Sequence, residues 1–162
     1  MTLEFRPFEK KDYERVLKIC IDAFTPHHAL FEKTLGSEIF KYQYQNWKEE
    51  YADYLGKFPS SDLSAKIYVA EEDAEIVGFV VTSVDIKRKV GEIGLNAVDP
   101  AHQGRGIGKA MYAFALDDLK KRGAKVAYVG TGADAAHAPA RAAYRAVGFD
   151  KAIPSLHYFR SL

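Results

Sequence analysis

Between Val98 and Lys109 the sequence reads Val-Asp-Pro-Ala-His-Gln-Gly-Arg-Gly-Ile-Gly-Lys. An apolar run ends, a glycine-rich turn follows, and a helical pattern begins. Glycines let successive backbone N–H groups surround an anion with no Cβ in the way. The positive end of the helix that follows adds attraction, and Arg105 and Lys109 place charge at the rim. The segment suits a phosphate or a pyrophosphate. Two common phosphate signatures do not fit it. A dinucleotide-binding G-x-G-x-x-G from Gly104 and Gly106 would need glycine at Lys109. A P-loop from Gly104 would need its second glycine one residue beyond Gly108, and Ala110 stands where a magnesium-binding Ser or Thr belongs. What remains is Gln-x-x-Gly-x-Gly, carried by Gln103, Gly106 and Gly108 with Gly104 and Arg105 between.

The elements that must position this turn can be read from periodicity. Thr2–Phe8 alternates as a first strand, and Asp12–Phe24 carries Val16, Leu17, Cys20, Ala23 and Phe24 at helical spacing until Thr25-Pro26 interrupts it. Ser37 and Glu38 open a second helix with an aromatic stripe of Phe40, Tyr44, Trp47, Tyr51 and Tyr54. Such a stripe normally packs on a core. Lys66–Glu71 and Glu75–Val84 read as a hairpin, and Glu92–Val98 as the strand that enters the turn. A helix over Gly106–Arg122 stops at Gly123. A strand over Lys125–Gly130, a short helix over Pro139–Val147 stopped by Gly148, and a final strand over Leu156–Arg160 complete the order. This is an α/β (α+β) arrangement around one central sheet, in one domain over 1–162.

Composition narrows the function. With 162 residues, 23 basic and 22 acidic side chains and a net charge of +1, the chain has no electrostatic case for nucleic acid or an anionic membrane. The apolar run Ile76–Val81 is too short to span a bilayer. The one cysteine, Cys20, falls on an amphipathic stretch and reads as core, and no Cys/His spacing implies a metal. A charged N-terminal segment and the lone cysteine point to a reducing, cytoplasmic setting. A homodimer is the expected assembly, symmetric dimers being the commonest soluble oligomers.

The glycine turn resembles the pyrophosphate-binding turn of the GNAT superfamily of acyl-CoA N-acyltransferases. The strand ending Ala97-Val98-Asp99-Pro100 and the later Ala140-x-x-x-Tyr144-x-x-x-Gly148-Phe149 are similar to the family's preceding strand and second cofactor-contacting helix. The order of elements fits over nearly the whole chain. The resemblance implies a mostly antiparallel mixed sheet with splayed central strands, and acetyl-CoA as cosubstrate without a metal. It implies contacts to acetyl-CoA from Ala97, Val98, Gln103, Gly104, Arg105, Gly106, Gly108, Lys109 and Tyr144. Family members commonly carry asparagine seven residues before this tyrosine. Here that position is His137, whose imidazole can replace the amide toward the pantetheine arm.

Acetyl transfer to an amine requires a neutral nitrogen. For a lysine-like amine, losing the proton at neutral pH costs about 4.6 kcal/mol, roughly 3.4 pKa units. A base is therefore useful, and the resemblance to the histone-acetylating branch implies Glu92, eleven residues before Gln103. The same resemblance implies the Val98 N–H as donor to the thioester oxygen and Tyr144 as the acid that protonates the departing thiolate. The acceptor is then an amine of a small molecule or a peptide, met by the aromatic-rich segment His27–Phe58. A non-catalytic CoA-binding sensor with the same fold is the alternative, and a nucleotide-binding α/β protein a weaker third.

Overall fold

The computed structural model describes residues 2–59 and 64–162. Five strands form one sheet in the order β1-β2-β3-β4-β5: β1 (Leu3–Pro7), β2 (Ala65–Glu72), β3 (Glu75–Asp85), β4 (Val90–Val98) and β5 (Val126–Val129). The first four are antiparallel neighbours and β5 runs parallel to β4, so the sheet is mixed and mostly antiparallel. Four helices cover it: α1 (Tyr13–Tyr44), α2 (Trp47–Leu55), α3 (Ile107–Lys121) and α4 (Ala138–Ala146).

Strand alternation divides the core between two faces. Phe79 and Val81 of β3, with Ile67, Val69 and Ala97, pack beneath Val16, Ile19 and Cys20 of α1 and Leu55 of α2. Val80 and Val84, with Ile93, face Met111, Tyr112, Ala115 and Leu119 of α3 and Tyr144 of α4. Cys20 is fully buried, and burial pushes its thiol up to about 12; it is a core residue. Trp47 is buried and stacks on His28, with ring centroids 4.0 Å apart. This part of the aromatic stripe is packing.

Three expectations are corrected. Pro26 does not interrupt α1; it lies inside the helix on an exposed turn. The carbonyl that loses its donor there can turn to water, while Phe24 and His28 on either side hold the helix by packing. The actual break is Gly36, at φ 80 and ψ 158. The aromatic stripe does not run on one helix, because the chain turns at Gln45-Asn46 before α2. Leu156–Arg160 forms no strand. Its alternation suits one, but no described strand pairs with it, and a strand without a partner is not stable. Tyr158 is 87% exposed.

One feature of the sheet determines the site. β4 pairs with β5 only from Val90↔Val126 to Ile93↔Val129, then continues to Val98 paired with β3 alone. The register against β3 slips between Val80 and Thr82, which puts an extra β4 residue at Gly94-Leu95 and bends the strand. The two strands part there and leave a wedge. Among the described residues no helix is long and apolar enough to cross a membrane.

Candidate active site

The wedge exposes one edge of β4. The Asp99 N–H donates across to the Val77 carbonyl at 2.8 Å. Neighbouring residues of a strand point their backbone groups to opposite edges, so the Val98 N–H and C=O face the wedge, as do those of Asn96. The Val98 carbonyl accepts the Gln103 side-chain amide at 3.1 Å. That bond ties the glycine turn to the end of β4.

The turn is held from both ends. Asp99 caps the short 3-10 turn Pro100–His102 by accepting the Ala101 N–H at 2.8 Å, and Arg15 of α1 grips the same carboxylate. Burial alone would raise Asp99; the bonds from Ala101 and Arg15 outweigh it and hold the carboxyl below its usual range. Gly104 and Gly106 stand at φ +77 and φ +81, where a side chain would strain the backbone, and Gly106 caps α3. Buried Ile107 anchors the helix. The first-turn N–H groups of α3 therefore open onto a surface with no Cβ over it. Gly108 lies against Val98 and Lys109 is exposed. Arg105 is engaged with Glu72 at 2.8 Å, so its charge reaches the rim already paired.

Tyr144 is 6% exposed, on the α3 side of β4. Its ring lies 4.6 Å from that of Tyr112, whose hydroxyl donates to Asn96 Oδ1 at 2.8 Å. Tyr112 is raised far above the usual phenol range by burial and then by Tyr144, whose hydroxyl adjoins its own. The line Tyr144–Tyr112–Asn96 joins α4, α3 and the free part of β4. Tyr112 and Asn96 escaped the sequence reading; Tyr112, five residues after Ile107 on the buried stripe of α3, carried only a packing signal.

Glu92 is exposed on the opposite face, in the stretch of β4 still paired with β5, directly across from Tyr128. Tyr54 of α2 is close enough to feel its charge; burial first, then Glu92, raise that phenol. Glu92 is six residues before Val98, about 20 Å of extended strand, so the structure does not bring it beside the Val98 N–H.

His137 ends the loop that follows β5. Its Nδ1 is 2.7 Å from Asp134 Oδ2, and its backbone N–H donates to Asp134 Oδ1 at 3.2 Å. Its ring centroid is 4.2 Å from that of His27 on α1. His102 is half-buried near Asp99, 3.9 Å away. No group of three or more His, Cys, Asp or Glu among the described residues is placed to hold a metal.

A strand edge left open beside a bend, leading to a glycine turn at a helix N-terminus, fits an extended ligand with a polar arm and an anionic end. The chain belongs to the acetyltransferase (GNAT) family, whose model matches residues 28–149. Mycothiol acetyltransferase of Streptomyces coelicolor is 34% identical over 85 residues, covering 52% of this chain and 27% of that protein. An uncharacterised N-acetyltransferase of Methanocaldococcus jannaschii is 29% identical over 156 residues, covering 93% of this chain and 62% of that one. The chain thus spans 27% of the first relative and 62% of the second, less than two thirds of either. In fold it is similar to the PaiA N-acetyltransferase of Thermoplasma acidophilum, solved with coenzyme A, at TM-score 0.69 and 20% identity over 93% of this chain and 91% of that one.

Proposed function

We propose that this protein transfers the acetyl group of acetyl-CoA to a primary amine of a small molecule or peptide. The observation that carries the reading is the unpaired edge of β4 beyond Ile93, running into the glycine turn at the start of α3. The backbone groups of Asn96 and Val98 pair with the pantetheine arm as an added strand would, while Ala97, expected to share that contact, turns its carbonyl to β3 instead. The N–H groups from Gly104 to Gly108 take the pyrophosphate, with Gln103 bracing the turn and Arg105 and Lys109 at its rim.

The Val98 N–H donates to the thioester oxygen as charge grows on it. Tyr144 returns a proton to the departing sulfur. Glu92, between Tyr54 and Tyr128, stands on the acceptor side, where its carboxylate draws a cationic amine and takes up the first proton through water. Two exposed or half-exposed phenols beside one acid suit an ammonium flanked by rings.

The same chain is expected to work as a homodimer. Among the described residues no strand pairs with the outer edge of β5, and Val126 on it is exposed. Unpaired edges of this kind are normally covered, and a second copy is the occupant proposed.

The test is release of free CoA thiol when the purified protein meets acetyl-CoA and a panel of diamines, aminoglycosides, amino sugars and peptides. Acceptor-dependent release, with the acetylated amine found by mass spectrometry, is the expected result. Binding of acetyl-CoA with no release for any amine would favour the sensor instead.

A further inference from the structure

The helices α1 and α4 pack on opposite faces of the sheet, which should keep them apart. His27 and His137 nevertheless stand ring to ring, 4.2 Å between centroids. β5 stops at Val129, and beyond Ile93 β4 is paired with β3 but no longer with β5, so no β5 strand lies between the two helices there. His137 stands at the N-cap of α4, the helix that also carries Tyr144 against Tyr112, and His27 meets it from α1.

The loop that presents His137 is built around it. Asp134 takes both the His137 N–H and its Nδ1. Arg141, one turn into α4, clasps the Gly132 and Asp134 carbonyls at 2.7 Å each. A Cβ on Gly132 would come within 2.5 Å of Asp134 Oδ2 and of His137 Nδ1, so only glycine leaves room for the pair. An ionised carboxylate only accepts, so the proton between them sits on Nδ1 and the neutral ring keeps its lone pair on Nε2. His27 is fixed alike: its Nδ1 faces the Ala23 carbonyl at 3.2 Å, which can only accept.

We propose that His137, oriented by Asp134, is the group that takes the proton directly from the attacking amine nitrogen as the N–C bond forms. The inference rests on the acetyl-transfer reading above. An ammonium loses two protons on its way to an amide. The first leaves before attack, through water to Glu92. The second passes to His137 Nε2 as nitrogen bonds to the acetyl carbon. The C–S bond then breaks, Tyr144 gives its proton to the sulfur and regains one from solvent, and one proton is released overall. The charged and titratable neighbours of His137 are Asp134 in its loop, His27 on α1 and Arg141 on α4. Burial, and then His137 itself, lower His27, which keeps it neutral beside an imidazolium. Burial alone would raise Asp134; its contacts with His137 outweigh that and keep it ionised.

The decisive variant is His137→Asn, because asparagine is the residue that the family resemblance leads one to expect there. If His137 only contacts acetyl-CoA, the variant should match the wild type. As the proton acceptor, its loss should lower kcat about 100-fold, remove the acid limb of the pH–rate profile and leave acetyl-CoA affinity within about threefold. Asp134→Asn should also lower kcat with acetyl-CoA affinity kept, since the carboxylate that fixes the Nδ1–H tautomer is gone; it also serves should the first variant fail to fold. Glu92→Gln should keep the limb. Full activity in His137→Asn, or a limb that disappears only in Glu92→Gln, would overturn the proposal while leaving acetyl transfer intact. A wild-type protein that acetylates no amine would overturn both.

Discussion

The Tyr144 hydroxyl does not stand alone in the wedge. Tyr112 adjoins it and gives its one hydroxyl proton to Asn96 Oδ1, so towards Tyr144 the Tyr112 oxygen is left as an acceptor that orients the Tyr144 hydroxyl. Tyr144→Phe keeps the ring packing and removes only the hydroxyl proposed as the acid. We expect turnover to fall about 100-fold with the acetyl-CoA dissociation constant changed less than threefold, as read by steady-state kinetics beside calorimetry. Equal losses in both would contradict the role. Gly132→Ala is the complementary probe. Its backbone tolerates a side chain, but the added methyl displaces the Asp134–His137 pair, so kcat should fall without a loss of melting temperature. The glycine turn at the start of α3 and the helix that carries Tyr144 were legible in the sequence because their residues lie at fixed spacing within local motifs. The meeting of Asp134 and His27 with His137 was not. They meet His137 through a loop closure and a contact between residues 27 and 137, and neither leaves a local pattern.

Among the elements, α3 matters most, because it carries the glycine turn at one end and lies on the sheet along its length. A buried polar cluster fixes its register. Asp118 accepts from Tyr68 at 2.7 Å, Thr82 at 3.0 Å and Arg122 at 2.9 Å. Burial, and then Asp118, push Tyr68 up to about 12, so it stays a donor at neutral pH. Removing one member of a buried ionic cluster costs about 3–5 kcal/mol. Asp118→Ala should therefore lower the urea midpoint sharply, and the protein that remains folded at 25 °C should still bind acetyl-CoA. A midpoint within error of wild type would show that packing alone docks α3. The strands and α3 were readable from alternation and helical spacing. Pro26 and Leu156–Arg160 were misread for one reason: the outcome depended on what neighbouring elements offered. Packing kept α1 helical through a proline, and the C-terminal alternation found no strand to join.

At the scale of the whole molecule, stability and assembly both follow from what is covered. His28 is buried against Trp47. Burial, with His27 adding to it, lowers its pKa to about 4. An unfolded chain takes up this proton near pH 6.5, and the native protein resists it until near pH 4. Stability from this group is thus complete above pH 6.5 and drains away as pH falls toward 4. Denaturant unfolding should show that slope, and His28→Phe should flatten it; an unchanged slope would place the acid sensitivity elsewhere. Sedimentation at micromolar concentration should give a dimer through the β5 edge, and Val126→Lys should shift it to monomer. A wild-type monomer would leave that edge uncovered.

The most direct single measurement is calorimetric titration of the wild-type protein with acetyl-CoA, with ATP and NAD as controls. The parted strands and the glycine turn predict one micromolar acetyl-CoA site per chain and no heat from either control. No acetyl-CoA binding, or equal binding of ATP, would contradict the assignment of the β4 edge and the start of α3 to acetyl-CoA.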